Sequence, residues 1–211
     1  MPAFEKTRVL LSFGAAAGGF EFAMQLRKDI MDKYKKTEQT DPYFTYIDAE
    51  SLRNDVETKY TWDQNLGIYK MSNPCWDTFY KSAMSKCDYM VFLISEPWLK
   101  SNWCWDEFNW YQMVLTEKSI TPIFVVFKDA LSILNGNNKV KDGKGNIHDL
   151  KPIWQLMITH KNASTVIINT DPDPGVAKVI VDGATYTYTH KYVCNTQELS
   201  AILTKINVKM P

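Results

Sequence analysis

Residues 95–110 combine a carboxylate with several indole rings directly after a strongly apolar run. If a helix begins near Ser101, then Trp103, Glu107 and Trp110 recur at helical spacing and share one face. A carboxylate between indole rings is partly desolvated, which raises its pKa and strengthens its attraction for a developing positive charge. The rings would stack on a flat heterocycle. The pattern therefore predicts a site that stabilises a cation, with Glu107 as its candidate catalytic group.

The same carboxylate also has a purely structural interpretation. Asp106 and Glu107 would lie in the first turn of a helix, where negative charge offsets the helix macrodipole by about 0.3 to 1 kcal/mol. Four of the seven tryptophans lie between residues 98 and 110, and tryptophans near a helix start usually belong to the core. Spacing alone leaves both interpretations open.

A second candidate site is the Gly-Ala-Ala-Ala-Gly-Gly sequence at residues 14–19. Backbone N–H groups at the start of a helix bind phosphate, so this loop is suited to a nucleotide pyrophosphate. The loop lacks the Gly-x-Gly-x-x-Gly spacing of dinucleotide-binding folds, and Asp48 follows it too late for their ribose-binding acid. A flexible turn is the alternative, and a nucleotide-binding oxidoreductase is a minor candidate.

Predicted strands and helices alternate around these candidates. Short apolar runs predict strands at residues 8–13, 43–47, 89–94 and 123–127. Apolar spacing and cap residues predict helices at residues 20–34, from 73 or 74 to 87, from 101 or 102 to 116, and from 195 to 206. This order predicts an α/β domain with a mostly parallel sheet and helices on both faces. Ligand sites in such sheets lie beyond the carboxyl ends of the strands, where residues 95–110 begin.

The remaining segments give weaker signals. Residues 49–74 are polar and aromatic without sustained period and predict a long connecting loop. Residues 135–146 are rich in Gly, Asn and Lys and predict a solvated loop. Residues 179–190 alternate around Asp-Gly, which predicts a C-terminal β-hairpin insertion. Asn195 and Glu198 have the spacing of a capping box at the final helix.

Composition narrows the class of protein. The 24 basic and 24 acidic residues give no net charge, so a nucleic-acid partner is not expected. A length of 211 residues and 45% hydrophobic content predict a single globular domain. The four cysteines form no Cys-x-x-Cys pair, so neither a metal site nor a disulfide framework is expected. The apolar part of residues 9–20 is too short for a membrane span or signal peptide, which favours a cytoplasmic protein without a membrane partner.

Three segments resemble the signature boxes of the TIR-domain family. They are Val-Leu-Leu-Ser-Phe at residues 9–13, Phe-Thr-Tyr-Ile-Asp at residues 44–48, and Ser-x-x-x-Leu-x-Ser-x-Trp-Cys-x-x-Glu at residues 95–107. The resemblance is good over residues 8–130 and weak over the C-terminal third, residues 131–211. It implies one TIR-like domain over residues 1–211 with a flavodoxin-like fold, which agrees with the predicted order of strands and helices.

The resemblance also implies an activity, because many TIR domains cleave NAD⁺ at the nicotinamide–ribose bond. The Glu of the third box is catalytic in those enzymes, which assigns that role to Glu107. The substrate-binding residues implied by the same match are Ser12, Phe13, Gly14, Asp48 and Trp103. Loss of nicotinamide leaves an oxocarbenium-like ribose, which a carboxylate stabilises as in glycoside hydrolysis. NAD⁺ is then the substrate, and neither a cofactor nor a metal is expected.

Products and partners follow from the same resemblance. The ribose is captured either by water, which gives ADP-ribose, or by a group of the same molecule, which gives a cyclic ADP-ribose isomer. In free-standing bacterial TIR proteins such a product is often an antiphage signal read by a separate effector. The resemblance also implies that the loop after Asp48 is the segment that governs self-association in the family. Other family members are non-catalytic adaptors that bind a second TIR domain, and the sequence leaves this alternative open.

Overall fold

The predicted alternation of strands and helices is confirmed by the computed structural model, which describes residues 4–52, 55–63, 68–114, 119–173, 177–181, 184–188 and 192–209. The helices are α1 (Gly19–Lys33), α2 (Asp48–Ser51), α3 (Trp76–Met84), α4 (Glu96–Leu99), α5 (Asn102–Val114), α6 (Lys128–Gly136), α7 (Lys151–Thr159) and α8 (Thr196–Lys205). The strands are β1 (Val9–Phe13), β2 (Thr45–Tyr46), β3 (Lys59–Asp63), β4 (Ile68–Ser72), β5 (Tyr89–Ile94), β6 (Thr121–Phe127), β7 (Lys139–Lys141), β8 (Ile147–Asp149), β9 (Ser164–Ile168), β10 (Ala177–Val181) and β11 (Ala184–Tyr188).

Five strands form a parallel central sheet in the order β2-β1-β5-β6-β9. The chain winds outward from β1 to β2 on one side and from β5 through β6 to β9 on the other. The strand order therefore reverses between β1 and β5, as in flavodoxin-like sheets. This topology confirms the predicted α/β class.

Apolar side chains cover both faces of this sheet, because successive residues of a strand point to opposite sides. On β5, Met90 and Phe92 face a core formed with α3, α4, α5, α6 and α7. The intervening Val91 and Leu93 face a second core formed with α1 and α8. Burial on both faces explains why β5 is a continuous apolar run without polar alternation.

Two segments predicted as loops contain regular structure. Residues 49–74 include the end of α2 and the antiparallel hairpin β3–β4, and residues 135–146 include the end of α6 and β7, which pairs with β8. Both predictions were wrong because a period of two becomes visible only when one face of a strand is buried. β3 and β7 are exposed or only half-buried, so their sequences contain no apolar stripe. The strands β8 and β9 and the helices α4, α6 and α7 were missed as well.

The two C-terminal predictions are confirmed. β10 and β11 pair in an antiparallel hairpin, although its Asp182-Gly183 turn lies outside the described residues. Asn195 accepts a hydrogen bond from the backbone N–H of Glu198, whose side chain accepts one from the Asn195 N–H, which completes the capping box of α8. In the described part of the chain, no helix combines the length and the apolar content needed to span a membrane.

Gly14 allows α4 to approach the end of β1, and its replacement tests this contact. A Cβ atom at Gly14 would lie 2.4 Å from the Trp98 backbone nitrogen and 2.5 Å from the Pro97 carbonyl carbon. Because backbone must shift to relieve this overlap, Gly14→Ala is expected to lower the free energy of unfolding by about 1 to 3 kcal/mol in urea titrations. Gly136→Ala is the matched control, since a Cβ there meets nothing within 4 Å. This helical replacement should be neutral or stabilise by about 0.5 to 1 kcal/mol, and equal losses in both variants would contradict the contact.

Candidate active site

The carboxyl ends of β1 and β5 form the point at which the strand order reverses, and ligands bind at such points in open α/β sheets. β1 ends at Phe13, and β5 is followed by Ser95, the N-cap of α4. The Ser95 hydroxyl accepts a hydrogen bond from the Trp98 N–H at 3.3 Å, which fixes the start of this short helix. Helices α4 and α5 therefore lie directly over the ends of β1 and β5.

Ser12 and Glu107 meet beneath α5. Ser12 is two positions after Leu10 and shares its face of the sheet, which packs against α5. The Ser12 hydroxyl donates a hydrogen bond to Glu107 Oε2 at 2.5 Å, and the Glu107 residue is 7% exposed. Because α5 begins at Asn102 and contains no acidic residue in its first turn, the macrodipole interpretation of Glu107 is wrong. Glu107 lies in the second turn and points into the protein.

Two aromatic side chains complete the surroundings of Glu107. The indole N–H of Trp98, which is fully buried, donates to Ser12 Oγ at 2.9 Å. The hydroxyl of Tyr80, from α3, interacts with Glu107 and lowers its pKa. Neither residue is among the site residues predicted from the sequence. The signal for Tyr80 was a phenolic hydroxyl on the apolar face of α3. The signal for Trp98 was an indole donor inside the third box, between Ser95 and Leu99.

The pKa of Glu107 is raised to about 8, chiefly because burial disfavours the charged carboxylate. The negative charge of Asp48 raises this pKa further, while the hydrogen bond from Ser12 opposes the shift. Burial also raises the pKa of Asp48 to about 7, and the Tyr46 hydroxyl opposes that shift. Two interacting carboxyl groups therefore titrate near neutral pH, and a cation beside them would favour their ionised forms.

Trp103 lies on α5 one turn before Glu107 and is half-exposed. Its ring packs edge-on against Trp76 with the centroids 4.8 Å apart, and Lys144 Nζ lies 4.9 Å from its centroid. Trp76 also contacts Trp110 at a centroid distance of 5.5 Å. On the predicted shared face, Trp103 is therefore half-exposed, Trp110 is half-buried against the core, and the Glu107 carboxyl group is buried.

The structure does not bring the Phe13 side chain to this cluster. Phe13 follows Ser12 by one residue, so its ring faces the opposite side of the sheet and lies 6.3 Å from the Phe20 ring. Only its carbonyl oxygen faces α5, where it accepts a weak hydrogen bond from Cys104 Sγ at 3.4 Å. Gly14 lies against the backbone of α4, so close packing accounts for glycine at this position.

The loop at residues 14–19 does not present all its amides to a ligand. The N–H groups of Gly19 and Phe20 donate to the carbonyl oxygens of Ala16 and Ala15 at 3.1 and 3.3 Å. These bonds weaken the prediction of a phosphate-binding loop, which needs unpaired N–H groups. Among the described residues, no group of three or more His, Cys, Asp or Glu side chains is arranged to hold a metal ion.

The sequence of the chain is similar to that of a bacterial enzyme. The chain is 39% identical over 177 residues to the 3′ cyclic ADP-D-ribose synthase HopAM1 of Pseudomonas syringae pv. tomato (strain ATCC BAA-871 / DC3000). The alignment covers 83% of this chain and 59% of HopAM1, so the chain spans less than two thirds of this relative. No family model and no solved structure matches the chain.

The raised pKa of Glu107 predicts a pH-dependent cost in stability. Above pH 4.5 an unfolded Glu ionises, whereas the folded protein holds the proton up to about pH 8, so stability falls as the pH rises through this window. Glu107→Gln removes the ionisation and should therefore be more stable than the parent by about 1 to 3 kcal/mol at pH 8, with a smaller difference at pH 5. Urea unfolding at both pH values measures this difference. The control is Asp32→Asn, which changes an exposed carboxyl group on α1, the helix on the other face of the sheet. Equal pH slopes for all three proteins would contradict the burial of Glu107.

Proposed function

Because the chain is a TIR-like protein related to a 3′ cyclic ADP-D-ribose synthase, we propose that it cleaves the nicotinamide–ribose bond of NAD⁺. The observation that carries this proposal is the buried carboxyl group of Glu107, which is hydrogen-bonded to Ser12 where the strand order reverses. A desolvated carboxylate at a ligand-binding edge is suited to stabilise a positive charge that develops during a reaction. Glu107 is the proposed catalytic residue.

The proposed reaction needs no group beyond the substrate and this chain. The glycosidic bond breaks with its electron pair on nicotinamide, which leaves as a neutral base, and the ribose acquires oxocarbenium character. The carboxylate of Glu107 stabilises this cation, while the Ser12 hydroxyl limits its rotation. The cationic substrate itself favours ionisation of a group whose pKa is about 8 in the free protein.

The proposed product is a cyclic ADP-ribose isomer, as the name of the relative suggests. A hydroxyl group of the same molecule then forms a bond to the ribose cation and loses its proton. Asp48 has a pKa of about 7 and is suited to accept that proton near neutral pH. Capture by water would give ADP-ribose instead. We further propose that the half-exposed ring of Trp103 packs against the nicotinamide.

Four further features remain predictions of the TIR resemblance. They are self-association through the segment after Asp48, a downstream effector that senses the product, a cytoplasmic location and an antiphage role. The non-catalytic adaptor is the alternative function. A buried carboxyl group that lowers stability favours the enzyme over the adaptor, because surface recognition does not require a desolvated acid.

Incubation of the concentrated protein with NAD⁺, followed by chromatography and mass spectrometry, tests the proposed activity. We expect nicotinamide together with a product that is lighter than ADP-ribose by one water. Glu107→Gln keeps the size of the side chain and removes its charge, so it should lower the turnover rate by at least about 10².

Asp32→Asn is the control and should retain activity near that of the parent, because Asp32 is exposed on α1 and lies on the other face of the sheet from Glu107. The assay is run at several protein concentrations and with a crowding agent, since self-association is a prediction of the TIR resemblance. Full activity in Glu107→Gln would refute the catalytic assignment. Absence of nicotinamide release from the parent under every condition, combined with a specific complex with a TIR domain, would establish the adaptor instead.

A further inference from the structure

The Ser12 hydroxyl has two partners with opposite hydrogen-bonding roles. The indole nitrogen of Trp98 is a donor only, so its 2.9 Å contact occupies an acceptor position of Ser12 Oγ. A serine hydroxyl carries one proton, and the 2.5 Å contact to Glu107 Oε2 uses it. The two contacts together define the direction in which Ser12 donates.

Trp98 itself has little freedom to move. Its side chain is fully buried, with ring centroids 5.4 Å from Trp105, 6.2 Å from Phe108 and 6.3 Å from Phe92. Its backbone N–H is bound by the Ser95 cap, and the absence of a Cβ at Gly14 lets this part of α4 lie against β1. The indole N–H is therefore a donor at a fixed position.

We propose that Trp98 is a positioning residue, which orients the Ser12 hydroxyl toward Glu107 and thereby holds the carboxylate in its reactive orientation. This inference rests on the proposed function for its effect on turnover, whereas its effect on Glu107 is measurable without substrate. Rotation about the Ser12 side chain would otherwise allow the hydroxyl to donate elsewhere. A directed donor keeps the carboxylate from reorganising as the cation forms.

The groups around Glu107 determine how its pKa changes when the indole N–H of Trp98 is removed. Asp48 follows β2, Tyr80 comes from α3, and Cys104 and Asp106 lie on α5 itself. The neighbouring carboxylates Asp48 and Asp106 raise the pKa of Glu107, whereas the hydrogen bond from Ser12 and the nearby Tyr80 hydroxyl lower it. A weaker bond from Ser12 therefore shifts the Glu107 titration to higher pH.

Trp98→Phe removes the N–H and retains an aromatic ring, and Trp105→Phe is its matched control. Trp105 is also buried, but its indole N–H donates to the carbonyl oxygen of Leu99 at 2.9 Å and not to Ser12. We expect Trp98→Phe to lower kcat about tenfold with KM nearly unchanged, and to shift the acidic limb of the kcat/KM profile to higher pH. Trp105→Phe should leave that limb where it is.

A double-mutant cycle distinguishes positioning from general packing. Because Trp98 acts through the Ser12 hydroxyl, Trp98→Phe should have almost no further effect on kcat in a Ser12→Ala background. Multiplicative losses in the double variant, or an equal shift of the pH profile in Trp105→Phe, would overturn the inference.

Infrared difference titration of the substrate-free protein separates this inference from the proposed function. The carboxyl band of Glu107 is assigned by its loss in Glu107→Gln, and Trp98→Phe should move its titration to higher pH. If the parent fails to release nicotinamide but this shift occurs, the proposed function fails and the orienting contact stands. An unchanged Glu107 titration in a folded Trp98→Phe variant overturns the contact whether or not the parent is active.

Discussion

Glu107 is an acid almost without contact to water, and the arrangement around it follows from that constraint. A buried polar group is costly unless it is hydrogen-bonded. Ser12 supplies a bond of 2.5 Å, and the hydroxyl of Tyr80 opposes the rise of the Glu107 pKa from a second direction. Trp98 in turn binds the Ser12 oxygen at 2.9 Å. Side chains from β1, α3 and α4 therefore surround one carboxyl group on α5.

The electrostatic consequence is a site prepared for positive charge. Burial and the nearby Asp48 raise the pKa of Glu107 to about 8, and burial raises that of Asp48 to about 7. Such groups reduce the stability of the folded protein at neutral pH, a cost that functional sites commonly carry. Within the proposed function, a cationic transition state offsets this cost because it attracts the ionised carboxylates. Within the proposed function, this attraction between a cation and a desolvated carboxylate explains why the carboxyl group is buried beneath α5 and does not lie on its exposed face.

The sequence by itself determined the features that depend on neighbouring residues. The apolar run of β5 requires burial on both faces and so predicted a central parallel strand. Asn195 and Glu198 predicted the start of α8, because a capping box involves residues only three positions apart. The third TIR-like box likewise identified the helix that carries Glu107, since apolar spacing and a serine before it define a helix start locally.

Tertiary structure alone decided which of these residues meet. The Ser12 contacts to Trp98 and Glu107 join residues 86 and 95 positions apart, so no local pattern reports them. Alternation along β1 directs Ser12 and Phe13 to opposite faces, but only the packing of α5 shows which face carries the site. The β3–β4 hairpin was hidden for a related reason, because an exposed strand has no apolar stripe. Local propensity specifies elements, whereas the site depends on how distant elements pack against the same faces of the sheet.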